Sequence, residues 1–378
     1  MSRGDRWLLV LPLALTTLGV IMVYSSSAIL GITRFQDPNY YLFKQLGRVG
    51  LGLLVLFACA RADLKRLEAW APALLGAALG LLALVAVLGH MSNGATRWLR
   101  VGTLTLQPTD LARIATVLVL ARRLRERPPA EQGLVRGILQ PLLIVGLVAG
   151  LILLQPNLSS AALLFAVGLV LLFLAGAPLK HLAVPVALAG LAAAVALLTH
   201  PYMMLRVRSY LDFITSGVLD TRGAGWQLDQ SLIAIGSGGW LGRGLGGSLQ
   251  KYLFLPEAHT DFIFSILAEE LGFLGSTALI ASIALLAWRG MRAAARATDP
   301  FVALLAAGLS TQIGLYALVN LAVATGLAPT TGLPLPFVSF GGSALLANLA
   351  AAGLLYRVSV LNRAEGAPAR LRRSPGVS

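Results

Sequence analysis

Long apolar stretches separated by short, sharply polar breaks run from one end of this chain to the other. Stretches of about 18 to 25 residues match the length a helix needs to cross hydrocarbon. Ten such helices are predicted, over 8–30, 42–60, 70–90, 107–124, 137–154, 158–176, 182–200, 262–288, 300–325 and 344–362. One break is far longer than the rest. Residues 201–261 mix Trp226, Gln227 and Gln230 with a glycine-rich run from Gly236 to Gly247, a composition that predicts packed structure over the outer mouth of the bundle. Before the last span, Pro334, Pro336, Gly341 and Gly342 forbid continuous helix while Leu335, Phe337 and Phe340 keep the segment near the membrane, which predicts a re-entrant element. The pattern describes an all-α integral membrane protein of about ten transmembrane helices, a single polytopic domain over 1–378, with one large extracytoplasmic segment at about 201–261 and a basic tail at about 363–378.

Composition agrees. Of 378 residues 57% are hydrophobic and 12% charged; a soluble domain carries about twice that charge fraction. Lysines and arginines orient the spans. Arg61, Lys65, Arg66, Arg122, Arg123, Arg125, Arg127, Arg136, Lys180, Arg289, Arg292 and Arg296 fall on one side with the tail arginines, against Arg34, Arg97 and Arg100 in the short loops opposite. Both termini are therefore expected in the cytoplasm. The net charge of +14 is scattered over membrane-flanking loops, which suits anionic lipid and argues against nucleic acid. The one cysteine, Cys59, allows no intrachain disulfide. The first span has signal-peptide flanks, but nine further spans favour an uncleaved anchor.

The chemistry concentrates around the eighth span. Lys251, Glu257, His259, Thr260 and Asp261 lead into an apolar segment that buries Glu269 and Glu270, roughly 12 Å deeper along a helix. Helix capping is the plainer alternative for His259, Thr260 and Asp261, against which the cluster of charge favours a functional Asp261, while the two glutamates read as structural acids paired with arginines or backbone. His259 lacks the second histidine of a helical zinc site. In Gln107-Pro108-Thr109-Asp110, Asp110 and Arg113 share a helix face; they either cap and snorkel or present an arginine inside the bundle. Gln155-Pro156-Asn157 is either a tight turn or a cavity-lining break. The glycine run serves tight turns and close packing, or lets backbone approach a phosphate. No nucleotide fingerprint is present.

These motifs together resemble the SEDS family (shape, elongation, division and sporulation) of bacterial membrane glycosyltransferases, with its FtsW and RodA branches. The resemblance runs through NGATRWLRVG from Asn93, the QP-x-acid-LA-basic pattern from Gln107, QP at Gln155, QSLIAIGSGGWLGRGLGG from Gln230, FLPEAHTDFIF from Phe254 and PLPFVSFGGSALL from Pro334. NGATRW and LPEAH are closer to the FtsW branch. The resemblance implies the SEDS fold, residence in the bacterial inner membrane, polymerisation of lipid II into glycan strands outside it, and a class B penicillin-binding protein among other divisome or elongasome partners. It implies that Asp261 is the essential carboxylate. Thr109, Asp110 and Arg113 stand where the family has serine, glutamate and lysine; Asn157 stands for a frequent aspartate and Phe340 for a tyrosine.

Glycosyl transfer needs a base for the attacking hydroxyl and positive charge for the departing pyrophosphate. Asp261 is the expected base, or the ligand of a divalent magnesium or manganese ion. Arg97, Arg113, Arg208 and Lys251 are the expected phosphate contacts, with Asp110, Glu257, His259, Thr260 and Ser339 completing the substrate site. A lipid II flippase and a scaffold that only activates a transpeptidase are the alternatives.

Overall fold

The computed structural model describes residues 4–88, 90–92, 95–101, 104–199, 201–216 and 224–365. Each predicted span coincides with a helix: α1 (Trp7–Phe35), α2 (Tyr40–Arg61), α3 (Leu64–Leu88), α4 (Pro108–Glu126), α6 (Gln140–Leu153, entered through a π-helical turn at Val135–Leu139), α7 (Leu158–Leu174), α8 (Leu179–Thr199), α11 (Ile263–Ala295), α12 (Pro300–Ala324) and α13 (Gly342–Glu365). Eight candidate spans among the described residues are long and apolar enough to cross a membrane. The two that are not are α7, of 17 residues, and α4, whose 19 residues include Asp110, Arg113 and a terminal cluster of charge. The remaining helices are α5 (Pro129–Leu134), α9 (Pro201–Ser216) and α10 (Ala224–Ser237), the last two inside the long 201–261 segment.

The expectation of an all-helical chain needs one amendment. Three short antiparallel strands, β1 (His90–Ser92), β2 (Ala95–Val101) and β3 (Leu104–Leu106), join α3 to α4. They pair in chain order, with Leu99 opposite Leu106. Two of the strands, β1 and β3, are only three residues long and carry too little alternation to announce themselves in sequence.

Burial sorts the helices. Two-thirds of the most apolar stretch of α12 and of α13 is buried, against 11% for α8, so α12 and α13 are central and α8 faces outward. Small residues bring helices together, Gly52 of α2 packing on Leu349 and Gly353 of α13 on the Leu56 carbonyl. The start of α1 and the last turns of α13 meet at one end of the bundle, where the Asp5 amide donates to Ser359 Oγ (2.9 Å) and Arg289 pairs with Asp5 (3.1 Å). There too, Arg125 ties Glu68 (2.7 Å) to Asp299 (3.6 Å) and so links α3, α4 and α12.

The longest helix is not continuous. Gly272 in α11 has φ 66° and ψ −163°, a conformation essentially reserved for glycine. The break frees the carbonyls of Glu269 and Glu270 and the amides of Phe273 and Leu274. The glycine-rich loop replaces every lost partner: Arg243 and Gly244 donate to the two carbonyls (3.0 Å each), and the Gly239 and Trp240 carbonyls accept from the two amides (2.8 and 3.2 Å). Side chains at 238, 242 and 272 would collide with the opposing backbone. Here the glycines serve close packing.

Candidate active site

Two irregular segments at the far end of the bundle from Asp5 build the site. The chain from Gln250 to Phe262 folds as consecutive turns, closed by Leu255 N to Gln250 O (3.0 Å) and by Thr260 and Phe262 amides onto the Glu257 carbonyl (3.1 and 3.3 Å). The segment before α13 is likewise non-helical, and Ser339 Oγ accepts from the Leu335 amide (2.8 Å) as the two prolines predict. Ser339 then donates to the Thr260 carbonyl (2.6 Å), and the Phe340 amide donates to the His259 carbonyl (2.9 Å). Asn320 of α12 completes the seam, its Nδ2 donating to the Asp261 and Leu333 carbonyls (2.8 and 2.7 Å). The backbone on both sides of Asp261 is thus fixed by the adjoining segment and α12.

Asp261 itself is half-buried, and a Cβ added to Gly332 would lie 3.6 Å from its Oδ2. Glu257 is exposed and accepts from Thr260 Oγ1 (2.8 Å). His259 is buried between Tyr41 and Phe340, with ring centroids 4.8 and 5.4 Å away. Burial pushes its pKa down to about 4; Glu257 opposes the shift, and Arg34 and Arg48 add to it. The imidazole is neutral at physiological pH and serves as an aromatic wedge under the Asp261 turn.

A second polar centre lies at the amino end of α4. Asp110, buried, accepts from Ser343 Oγ (2.7 Å), and Arg113 Nη2 lies 3.5 Å from its other oxygen. Arg113 is 2% exposed, donates to Asn348 (3.2 Å) and stacks 4.5 Å from the Tyr316 ring centroid. It points into the bundle and does not snorkel. A cavity of about 60 Å³, lined in part by Gln107, Asp110, Asn157, Tyr316 and Gly332, joins this centre to the backbone over which Asp261 lies. Asn157 borders the same cavity while capping α7 through Ser160 N (3.3 Å).

Other expected contacts fall elsewhere. Lys251 turns inward, its ammonium meeting Gly246 O (2.5 Å), Glu270 (3.2 Å) and Ser25 Oγ (3.3 Å). Three acceptors match its three donors, so its charge balances a buried acid and is not presented to a phosphate. Glu269 accepts from Ser248 Oγ (2.6 Å) and the Leu249 amide (3.1 Å), with Arg243 at 3.6 Å. Arg208 is exposed on α9, and the side chain of Arg97 lies outside the described residues. Sequence reading passed over Gln45, Arg48, Tyr316, Asn320 and Asn348, although polar groups inside apolar spans are the ordinary signal for a lined site. Among the described residues no three His, Cys, Asp or Glu gather into a metal-binding group. A single carboxylate still fits an ion such as Mg²⁺, which is commonly held by one or two carboxylates plus substrate phosphates.

Fold and site together define a polytopic membrane protein with a carboxylate turn and a buried acid–arginine centre at one end of its helical bundle. The chain belongs to the FtsW/RodA/SpoVE family of cell cycle proteins, whose sequence model matches residues 6–364. It is 42% identical to the "Probable peptidoglycan glycosyltransferase FtsW" of Thioalkalivibrio sulfidiphilus, covering 99% of this chain and 94% of that one. It is 38% identical to the stage V sporulation protein E of Bacillus subtilis, over 96% and 98% of the two chains. Among solved structures it resembles a chain of a peptidoglycan synthase complex that coordinates polymerization and crosslinking (TM-score 0.76, 33% identity, 96% and 99% covered). It also resembles the rod shape determining protein RodA of Thermus thermophilus (TM-score 0.68, 31% identity, 94% and 96% covered).

Proposed function

We propose that this chain is a peptidoglycan glycosyltransferase of the FtsW branch, polymerising lipid II at the outer face of the bacterial inner membrane with both termini in the cytoplasm. The observation that carries the reading is Asp261. Its turn is fixed through the carbonyls of His259, Thr260 and Asp261, and a cavity links its neighbour Gly332 to Asp110, the partner of Arg113. Such a framework positions a base while leaving its carboxylate half-exposed.

In the reaction Asp261 takes the proton from the acceptor sugar hydroxyl. The hydroxyl oxygen bonds to the anomeric carbon of the donor, and the bond from that carbon to the lipid pyrophosphate breaks, with the electron pair leaving on the phosphate oxygen. Arg113, held by Asp110 and Asn348, supplies positive charge from within the bundle, with Arg97 and Arg208 the further candidates. Glu257, Thr260 and Ser339 shape the loop that receives the sugar. In the alternative role, Asp261 would together with the substrate hold a magnesium or manganese ion that would neutralise pyrophosphate charge. A class B penicillin-binding protein is the partner that would cross-link the strands.

The test is a gel assay of strand formation from purified lipid II, with and without partner and divalent metal. Asp261→Asn should make no strands while unfolding at the parental temperature. Normal strand synthesis by that variant would remove Asp261 from the chemistry. A parent that makes no strands with an active partner would favour translocation or scaffolding.

A further inference from the structure

Two polar side chains in the outer half of α2 lack partners. Gln45 is fully buried with neither amide atom hydrogen-bonded, and Arg48, 8% exposed, has a buried Nη1 with no acceptor. Three residues apart, they lie on one helix face. Arg48 makes one weak hydrogen bond, from Nη2 to Thr105 Oγ1 of β3 (3.4 Å), and its guanidinium lies 4.2 Å from the Phe340 ring centroid. No ion pair involving Arg48 occurs among the described residues.

A buried guanidinium without an acid is costly, and its surroundings worsen the imbalance. Gly342 opens α13, and a Cβ there would lie 3.4 Å from Arg48 Nε, so the cation sits against the positive end of a 24-residue helix. Asp110, beside that helix end, is already engaged by Ser343 and Arg113. Two positive elements and a neutral amide converge without an anion between them. This is the arrangement that binds phosphate groups at helix amino ends.

We propose that Gln45, Arg48 and the first turn of α13 form a binding site for the pyrophosphate of a polyprenyl-linked substrate or product. The segment that Arg48 touches through Phe340 and Gly342 is the one that holds Asp261 from the other side, through Ser339 and Phe340. Pyrophosphate at Arg48 and base at Asp261 thus flank one stretch of chain, as a leaving group and an acceptor hydroxyl require. The groups are covered in this state, and the three-residue strand β3, joined to Arg48 through Thr105, is the element that would move for a ligand to enter.

The ligand's identity rests on the glycosyltransferase reading, so binding is measured apart from synthesis. The purified chain in detergent is titrated with farnesyl pyrophosphate, with phosphatidylglycerol as competitor, and strand formation and thermal unfolding are followed in parallel. Arg48→Met is expected to weaken farnesyl pyrophosphate binding about tenfold or more, the scale of a lost charge-assisted contact. Arg48→Lys should fall between. Arg48→Met should unfold at the parental temperature or above it, because it removes an unpaired buried charge. A merely structural arginine would do the reverse.

Parental affinity in Arg48→Met overturns the proposal, as does a parent that does not bind farnesyl pyrophosphate. Equal competition by phosphatidylglycerol makes this a headgroup site and overturns it too. If Arg48→Met does not fold, parental affinity in both Arg48→Lys and Gln45→Leu overturns it, and weakened affinity in either supports it. Strand synthesis with unaltered binding in the variants sinks the site alone. Arg48-dependent binding by a chain that makes no strands sinks the activity alone.

Discussion

Replacing Lys251 by methionine strips the counter-charge from Glu270 without changing the length of the side chain much. Glu270 is completely buried, and Lys251 supplies its only cationic contact among the described residues. What remains to the carboxylate is Ser25 Oγ (2.6 Å) and the Ser248 amide (3.4 Å), and Glu270 Oε2 already has no partner. Removing one member of a buried ion pair costs about 3–5 kcal/mol, because the surviving charge stays desolvated. Neutralising both removes that penalty, so Lys251→Met/Glu270→Gln should recover most of the loss. The assay is thermal unfolding of the detergent-purified chain, comparing parent, each single variant and the double variant at one protein concentration and heating rate. The structural account requires a large drop in Lys251→Met and a clear return in the double variant. If Lys251→Met unfolds like the parent yet makes no glycan strands, the account fails and Lys251 becomes a substrate contact after all.

Other consequences are as direct. Between about pH 6.5 and about pH 4 the unfolded chain binds a proton at His259 that the folded chain refuses, so stability should fall as pH drops through that window and level off below it. The contribution is roughly 3 kcal/mol, and its loss in His259→Phe, read from unfolding at pH 7 and pH 4.5, would confirm the assignment; an unchanged difference would refute it. Ser339→Ala leaves the Leu335 amide and the Thr260 carbonyl without their hydroxyl partner; it should cost about 1–3 kcal/mol and slow strand synthesis more than it lowers folded yield. Gly272→Ala forces a side chain into a glycine-only conformation against the Gly242 backbone; folded yield on size exclusion should collapse, and near-parental yield would contradict the broken-helix geometry.

Much of this architecture was legible because hydrocarbon makes a severe demand on sequence. A span needs a long apolar run, so even α4, with charge at both ends, and α7, only 17 residues long, left a recognisable trace. Within 201–261, α9 and α10 were not legible, since the mixed composition there has no single period. Asp261 and the 334–343 segment stood out because polar and helix-breaking residues interrupt apolar sequence. Lys251 illustrates the limit. Nothing in sequence distinguishes a lysine turned outward to a phosphate from one turned inward to a glutamate 19 residues later. Gln45 and Arg48 were visible inside the 42–60 run, yet their meaning depends on the absence of an acid nearby, which only three-dimensional packing reveals.

The interrupted helix has a mechanical corollary. Because the 239–244 loop substitutes for the missing rungs of α11, loop and span are not neighbours in contact but two pieces of one strut. A force applied to the loop has no separate joint at which to dissipate. It is inherited by the whole length of α11, down to Arg289 and its grip on Asp5 at the opposite face. A protein that leans on this loop is therefore leaning on both ends of the helical bundle at once.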